Sequence, residues 1–447
     1  MTRFDNILER TCGELPRPQL TKWGAIAFSL FVLTLQISIA ASQAFLAAAG
    51  VLYLIHVVKA RPPIFFLPVK FPLALFCSLS LISIFWATNP TTGWFAFRKL
   101  VLFLIWLLAV NLVVSAEHLR RLLQGLFLVS FVTSLIGIGQ FVVQYRDVRA
   151  HHPGELYHYL TSTRIHGFMG HWMHFSGQQM LVFAFLLAFL LLSDRQNSKT
   201  ENRTSEAGQR ISNSEFRILT FWWILLALVV LSIVLSFTRG VWLGCFLAGI
   251  YLIARWKPKW LLALPILFAL GYVGAPSLIR ERLHLALHPT HEPALSIRLE
   301  MWRVALRMIR THPWLGVGPN NIEEVYDLYL PKGKTPEVGY HSHFHNDFLQ
   351  FGAERGLPCL VAWIWLMAAL GCYTLKLRRQ LSAEKWIADA SLAALLAFLV
   401  EGCFEFNFGT SPVLMAFLFV TSTPFIAARV AGTACEFDKI GSPHPLA

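Results

Sequence analysis

The chain has 447 residues, 55% of them hydrophobic and 14% charged, with a formal net charge of +13. Soluble domains carry charge on roughly a quarter of their residues, so this composition argues against a water-soluble protein, and its apolar character excludes disorder. A sequence pI near 9.6 would point to nucleic acid in a soluble chain, but a mean hydropathy of +0.54 points to a bilayer and to no nucleic-acid partner.

A membrane helix needs about 20 mainly apolar residues. Runs of that kind begin near Trp23, Gln43, Phe71, Leu100, Leu122, Phe175, Ile218, Val241, Trp260, Leu357, Trp386 and Pro412. They predict an all-α polytopic membrane protein with about twelve spans, the first uncleaved because no small-residue cleavage site follows it. With the N-terminus inside, loops 1–22, 59–70, 115–121, 194–217, 255–259, 375–386 and the tail face the cytoplasm and hold 23 of the 38 Lys and Arg. Short cation-rich loops lie inside, so both termini are expected in the cytoplasm. Segment 194–217 is polar and low in aromatics, the composition of a flexible linker.

The chain then divides into residues 1–274 with nine spans, a large outward loop 275–356, and 357–447 with three spans and a tail. A second long outward loop covers about 145–174. Thirteen of the 16 His fall in these two loops. The seven Cys are scattered and none lies in 275–356, so neither a disulfide framework nor a CxxC metal site is implied.

Four outward constellations carry chemistry. Thr163-Arg164-Ile165-His166-Gly167, with His171 and His174, precedes the sixth span and suits either a polar ligand or an interfacial loop. Ser236-Phe237-Thr238-Arg239-Gly240 forms the turn between spans seven and eight. Arg239 there is either a snorkelling anchor or a rigid guanidinium for a phosphate, with Gly240 allowing a sharp turn. Ser296-Ile297-Arg298-Leu299-Glu300-Met301-Trp302 opens a helix in which Arg303, Arg307 and Arg310 share one face while Ile297, Met301, Ala305 and Met308 line another. A basic helix lying on the membrane surface accounts for those three arginines, but Arg298 stands outside their row and is a candidate ligand contact.

The fourth constellation is His341-Ser342-His343-Phe344-His345-Asn346-Asp347, leading through Glu354 and Gly356 into span ten. Alternating His could bind zinc, but one segment supplies neither a Cys nor a fourth ligand, so no metal is expected. The other reading is a general base, a neutral imidazole oriented by Asn346 and Asp347. Glu401 lies near the outward end of span eleven with Glu405 beyond it, and a buried carboxylate there either pairs with an arginine or takes part in catalysis. Arginines for phosphate, a His for a hydroxyl and a lipid setting suggest a sugar on a lipid pyrophosphate. No nucleotide-binding loop is present, so the donor must arrive activated.

The segments SFTRGVWLG, SIRLEMW, HPWLGVGPNN and HNDFLQFGAERG resemble the O-antigen ligase/polymerase (Wzy-like) superfamily, and the O-antigen ligases (WaaL) most. Ligases show His-Asn, nine residues and a GxxG element; here His345-Asn346 is followed by nine residues and Gly356, with Cys359 at the second Gly. The resemblance implies a GT-C-type glycosyltransferase of the bacterial inner membrane with a helical periplasmic loop and a periplasmic active site. It implies undecaprenyl-pyrophosphate-linked O-antigen as donor and lipid A–core as acceptor, with neither metal nor other cofactor. By motif position the catalytic His falls on His345 and the pyrophosphate-binding arginines on Arg239, Arg298 and Arg164, with His341, His343 and Asn346 in support. An O-antigen polymerase or a protein O-oligosaccharyltransferase would use the same chemistry on another acceptor. A lipid-linked sugar transporter would instead need ionisable residues near the midplane, and the spans hold few.

Overall fold

Long apolar runs leave the backbone no hydrogen-bond partner but itself, which selects helix. The computed structural model describes residues 19–193, 213–287, 293–333, 342–382 and 384–432. In chain order its helices are α1 (Gln19–Thr34), α2 (Ile39–Ala60), α3 (Lys70–Phe85), α4 (Pro90–Phe97), α5 (Leu104–Leu112), α6 (Ala116–His151), α7 (Leu156–Ser162), α8 (Trp172–Leu192) and α9 (Asn213–Leu235). They continue as α10 (Arg239–Trp256), α11 (Leu264–Gly274), α12 (Ser277–Leu287), α13 (Pro293–Thr311), α14 (Ile322–Val325), α15 (Asp347–Gln380), α16 (Lys385–Glu401) and α17 (Ser411–Val430). No strand occurs among the described residues.

Each of the apolar runs named above lies on a helix. Among the described residues, seven helices are long and apolar enough to cross a membrane, counting Pro90–Leu112 as one, and Lys70–Phe85 and Pro258–Gly274 are shorter apolar helices. The arrangement fits a polytopic membrane protein. Helices apolar all round belong either in a core or in lipid, and burial sorts the two. The membrane-length stretches of α8 and α17 are 89% buried, against 28% for α2, so α8 and α17 form the centre and α2 the rim.

Polar side chains join the central helices where no water competes. Gln178 of α8 donates to the Leu35 and Pro412 carbonyls at 2.7 and 3.0 Å. Its neighbour Gln179 donates to Thr133 Oγ1 and Ser134 Oγ of α6 at 3.0 and 3.2 Å.

The large loop has a small core of its own, built from Met301, Val304, Ala305 and Met308 of α13 with Tyr326, Phe344 and Ala353. This corrects the membrane-surface reading of α13. Its apolar face is covered by protein, and Arg307 donates to the Tyr329 carbonyl at 2.7 Å.

α15 is broken at Gly356, where φ is 82° and ψ 167°, just before Pro358. Segment 312–321 wraps over this break. Val317 and Gly318 N–H donate to the Ala353 and Glu354 carbonyls at 2.9 Å each, and Leu357 N–H donates to Pro313 O at 2.7 Å. A Cβ on Gly356 would lie 2.2 Å from the Trp314 oxygen, and one on Gly316 would lie 2.3 Å from the Glu354 carbonyl carbon. Both positions have positive φ, so only glycine suits them. Cys359, at the second position of the GxxG-like element, is buried against α3, with its Sγ 3.4 Å from Ser80 Oγ.

Candidate active site

The starts of α8, α10 and α15 meet the end of α16 at one end of the bundle. Ser176 Oγ donates to Thr238 Oγ1 at 3.4 Å, and Asp347 N–H donates to Gly402 O at 2.7 Å. The His cluster sits at this junction.

His345 has a left-handed backbone, φ 49°, unusual for a residue with a Cβ. Its neighbours fix it there. The Phe344 N–H donates to Gln350 Oε1 at 2.9 Å, the Trp302 indole donates to the Phe344 carbonyl at 3.1 Å, and Asn346 caps α15 by accepting from Leu349 N–H at 2.9 Å. The imidazole Nδ1 lies 2.9 and 3.0 Å from the two Glu405 oxygens. An ionised carboxylate only accepts, so Nδ1 carries a proton and Nε2 is the ring nitrogen turned away from Glu405. The His345 side chain is 25% exposed, so a substrate can reach it.

Glu405 collects several partners. His343 Nε2 is 3.5 Å and Arg298 Nη2 3.9 Å from its oxygens. Burial would raise its pKa, but hydrogen bonds from His343 and His345 hold it well below the usual carboxylate range. Glu401 instead pairs with the Asn407 amide. Asn346 and Asp347 do not hold the imidazole as expected. Asn346 Nδ2 donates to Cys403 O at 2.8 Å, and Asp347 Oδ1 accepts from Phe408 N–H at 3.2 Å. They brace the segment that carries Glu405.

The arginines gather beside this dyad. Burial, then the charges of Arg282, Arg298 and Arg239, push the Arg164 guanidinium down to about 10. Arg164 also donates to Thr161 O at 2.6 Å and lies over the Trp172 ring at 5.0 Å. Four cations in one place are chemically suited to an anion. His171, the N-cap of α8, joins them. Burial lowers its pKa, Glu405 opposes, and Arg164, His343 and His345 lower it further.

Arg282 of α12 was not singled out in the sequence. It is buried and donates to the Phe237 carbonyl through Nε at 3.3 Å and Nη2 at 3.2 Å, and to the Tyr157 hydroxyl at 3.3 Å. The sharp bend of the Ser236–Thr238 turn is at Phe237, φ 52°, rather than at Gly240. Gly240 is helical, and a Cβ there would meet Phe404 Cβ at 3.4 Å, an ordinary contact. Arg239 opens α10, whose unpaired N–H groups favour negative charge.

The structure therefore brings Arg164, Arg239, Arg298, His343 and His345 together and places Asn346 behind them. His341 lies outside the described residues. The His166 backbone N–H donates to Gln140 Oε1 at 3.1 Å. His343, His345 and Glu405 also offer three ligand atoms within 4.8 Å of one another, a His₂Glu set that could take one divalent ion.

No curated protein matches the chain. Residues 224–364 match the family model for O-antigen ligase, a stretch that holds Arg239, Arg282, Arg298 and His345. Over that stretch the chain is similar to the O-antigen ligase family, which supports the O-antigen ligase/Wzy-like resemblance carried by the motifs above.

Proposed function

We propose that the chain is an inner-membrane O-antigen ligase, which transfers polysaccharide from undecaprenyl pyrophosphate to a sugar hydroxyl of lipid A–core. About twelve spans in a GT-C-type arrangement, with both termini in the cytoplasm, present the site to the periplasm. The observation that carries this reading is the His345–Glu405 pair set beside four arginines.

His345 Nε2 takes the proton of the acceptor hydroxyl as its oxygen attacks the anomeric carbon. The carbon–oxygen bond to pyrophosphate breaks on the opposite face, so the configuration inverts. Glu405 holds the ring and balances the imidazolium that forms. The bonding pair leaves on the pyrophosphate oxygen, where Arg164, Arg239 and Arg298 meet the developing charge; one such donor is worth about 3 kcal/mol. Pyrophosphate needs no acid to depart, and no nucleotide or metal takes part.

The test is to incubate the purified protein with undecaprenyl-pyrophosphate glycan and lipid A–core, without ATP or added metal. Glycan on lipid A–core, with inverted linkage, is the expected product. Longer lipid-linked chains would identify a polymerase, and no transfer would overturn the reading.

A further inference from the structure

Steps of three and four residues down α10 from Arg239 give Trp242, Phe246, Gly249 and Ile253, a single stripe on one helix face. With Ile233 of α9 and Phe183 of α8, that stripe lines an apolar groove of about 310 Å³. Gly249 is buried, yet a Cβ built on it meets nothing within 4 Å, so this position leaves the groove floor open. At the upper rim the Trp242 indole donates to the Ile233 carbonyl at 2.9 Å, one helical turn from Arg239. From Trp242 to Ile253 the helix rises about 17 Å, roughly half of a hydrocarbon core of ~30 Å. The volume is at the small end of ligand pockets, which run from about 300 Å³ upward. It suits a segment of chain rather than a whole lipid.

We propose that this groove receives the pyrophosphate-proximal isoprene units of the polyprenyl donor, so that one face of α10 holds both headgroup and tail. The inference rests on the donor reading above. Continuity selects the occupant, because the stripe begins at an arginine of the anion site and descends without a polar interruption. A chain covalently attached to a pyrophosphate held there enters the groove directly. A tail seated along α10 also fixes the height of the anomeric carbon relative to His345.

The test compares two donors bearing the same glycan, one on undecaprenyl pyrophosphate and one on a short citronellyl pyrophosphate, using the full chain in nanodiscs. Gly249→Phe fills the floor. Its kcat/KM is expected to fall at least tenfold more with the long donor than with the short one. Equal changes on both donors overturn the groove assignment. A second measurement needs no turnover: undecaprenyl pyrophosphate carrying a diazirine near its head should label α9 and α10, and Gly249→Phe should remove that label. Labelling spread over all lipid-facing helices, as given by a diazirine phospholipid, means bulk lipid fills the groove and the proposal is wrong. If the wild type transfers glycan from neither donor, the donor reading fails, while the labelling still decides the groove.

Discussion

Two buried carboxylates sit at opposite ends of the bundle and are treated differently. Asp389, near the start of α16, accepts from Arg378 Nε at 2.6 Å and from the Tyr251 hydroxyl at 2.8 Å, with Arg255 at 3.6 Å. Its partners come from the ends of α10 and α15, and they tie those helices to α16. Glu405, beyond the end of α16, meets two imidazoles and an arginine at 3.9 Å, with Arg164, Arg239 and Arg282 belonging to the same cluster. The first cluster is electrostatically closed. The second places an imidazole and a cluster of positive charge where a substrate can reach them. A buried charge alone therefore says little about function; the surplus around it says more.

If that contrast is right, the open cluster should fail in turnover and the closed one in stability. The largest effect is expected at His345. His345→Ala removes a base worth about 10²–10⁴-fold, and the ligation assay on purified, folded variant should show that loss. A purified variant with substantial activity would return the proton transfer to another group.

Glu405→Gln comes next. The amide leaves the ring without a charge to hold its Nδ1 proton, so kcat should fall about 10²-fold with little change in KM. Its stability effect has a defined pH sense. The Glu405 pKa lies below its ordinary 4.5, so its ionised form stabilises the fold above that value and the contribution fades as pH falls through the depressed value. The difference in melting temperature between wild type and Glu405→Gln should persist down to pH 5 and shrink only below 4.5. A difference that shrinks already near pH 6 would mean that Glu405 is not held ionised by its His partners.

At the anion site, Arg239→Lys keeps the charge but loses the planar fork. Loss of one donor of about 3 kcal/mol predicts roughly 10²-fold in kcat/KM at most. Full activity of Arg239→Lys would make Arg239 a membrane anchor and leave the anion site to Arg164, Arg282 and Arg298.

How far the sequence reveals this site follows from the range of each contact. Arg239 is conspicuous because a charged residue between apolar runs is costly without a purpose, and Arg164 and His345 because they stand in the histidine-rich stretches of the outward loops. Arg298 stands out by breaking the spacing of its own helix. Arg282 does not, because α12 carries Arg280 and Glu281 beside it and reads as an ordinary charged helix; its contact to Phe237 spans 45 residues. Glu405 is visible as a carboxylate, but its partner His345 is 60 residues away, and nearer residues such as Asp347 compete for the role in any one-dimensional reading. Periodicity gave α13 an apolar face without saying whether lipid or protein would cover it. Helix content was far more legible than the site, since apolar run length acts locally and the site is assembled across loops.

The smallest effect on chemistry is expected where the charge is already balanced. Asp389→Asn leaves Arg378 and Arg255 facing a neutral amide at the far end of the bundle from His345. Breaking a buried pair costs about 3–5 kcal/mol; Arg255 is 42% exposed, which puts the loss at the low end. The thermal midpoint in detergent should drop clearly, while kcat and KM measured well below that midpoint stay at wild-type values. Arg378→Lys should do less still, because a second cation, Arg255, remains beside Asp389. A fall in kcat for Asp389→Asn at a temperature where the protein is fully folded would show that the two ends are coupled through α16. The division between a closed structural cluster and an open functional one would then have to be given up.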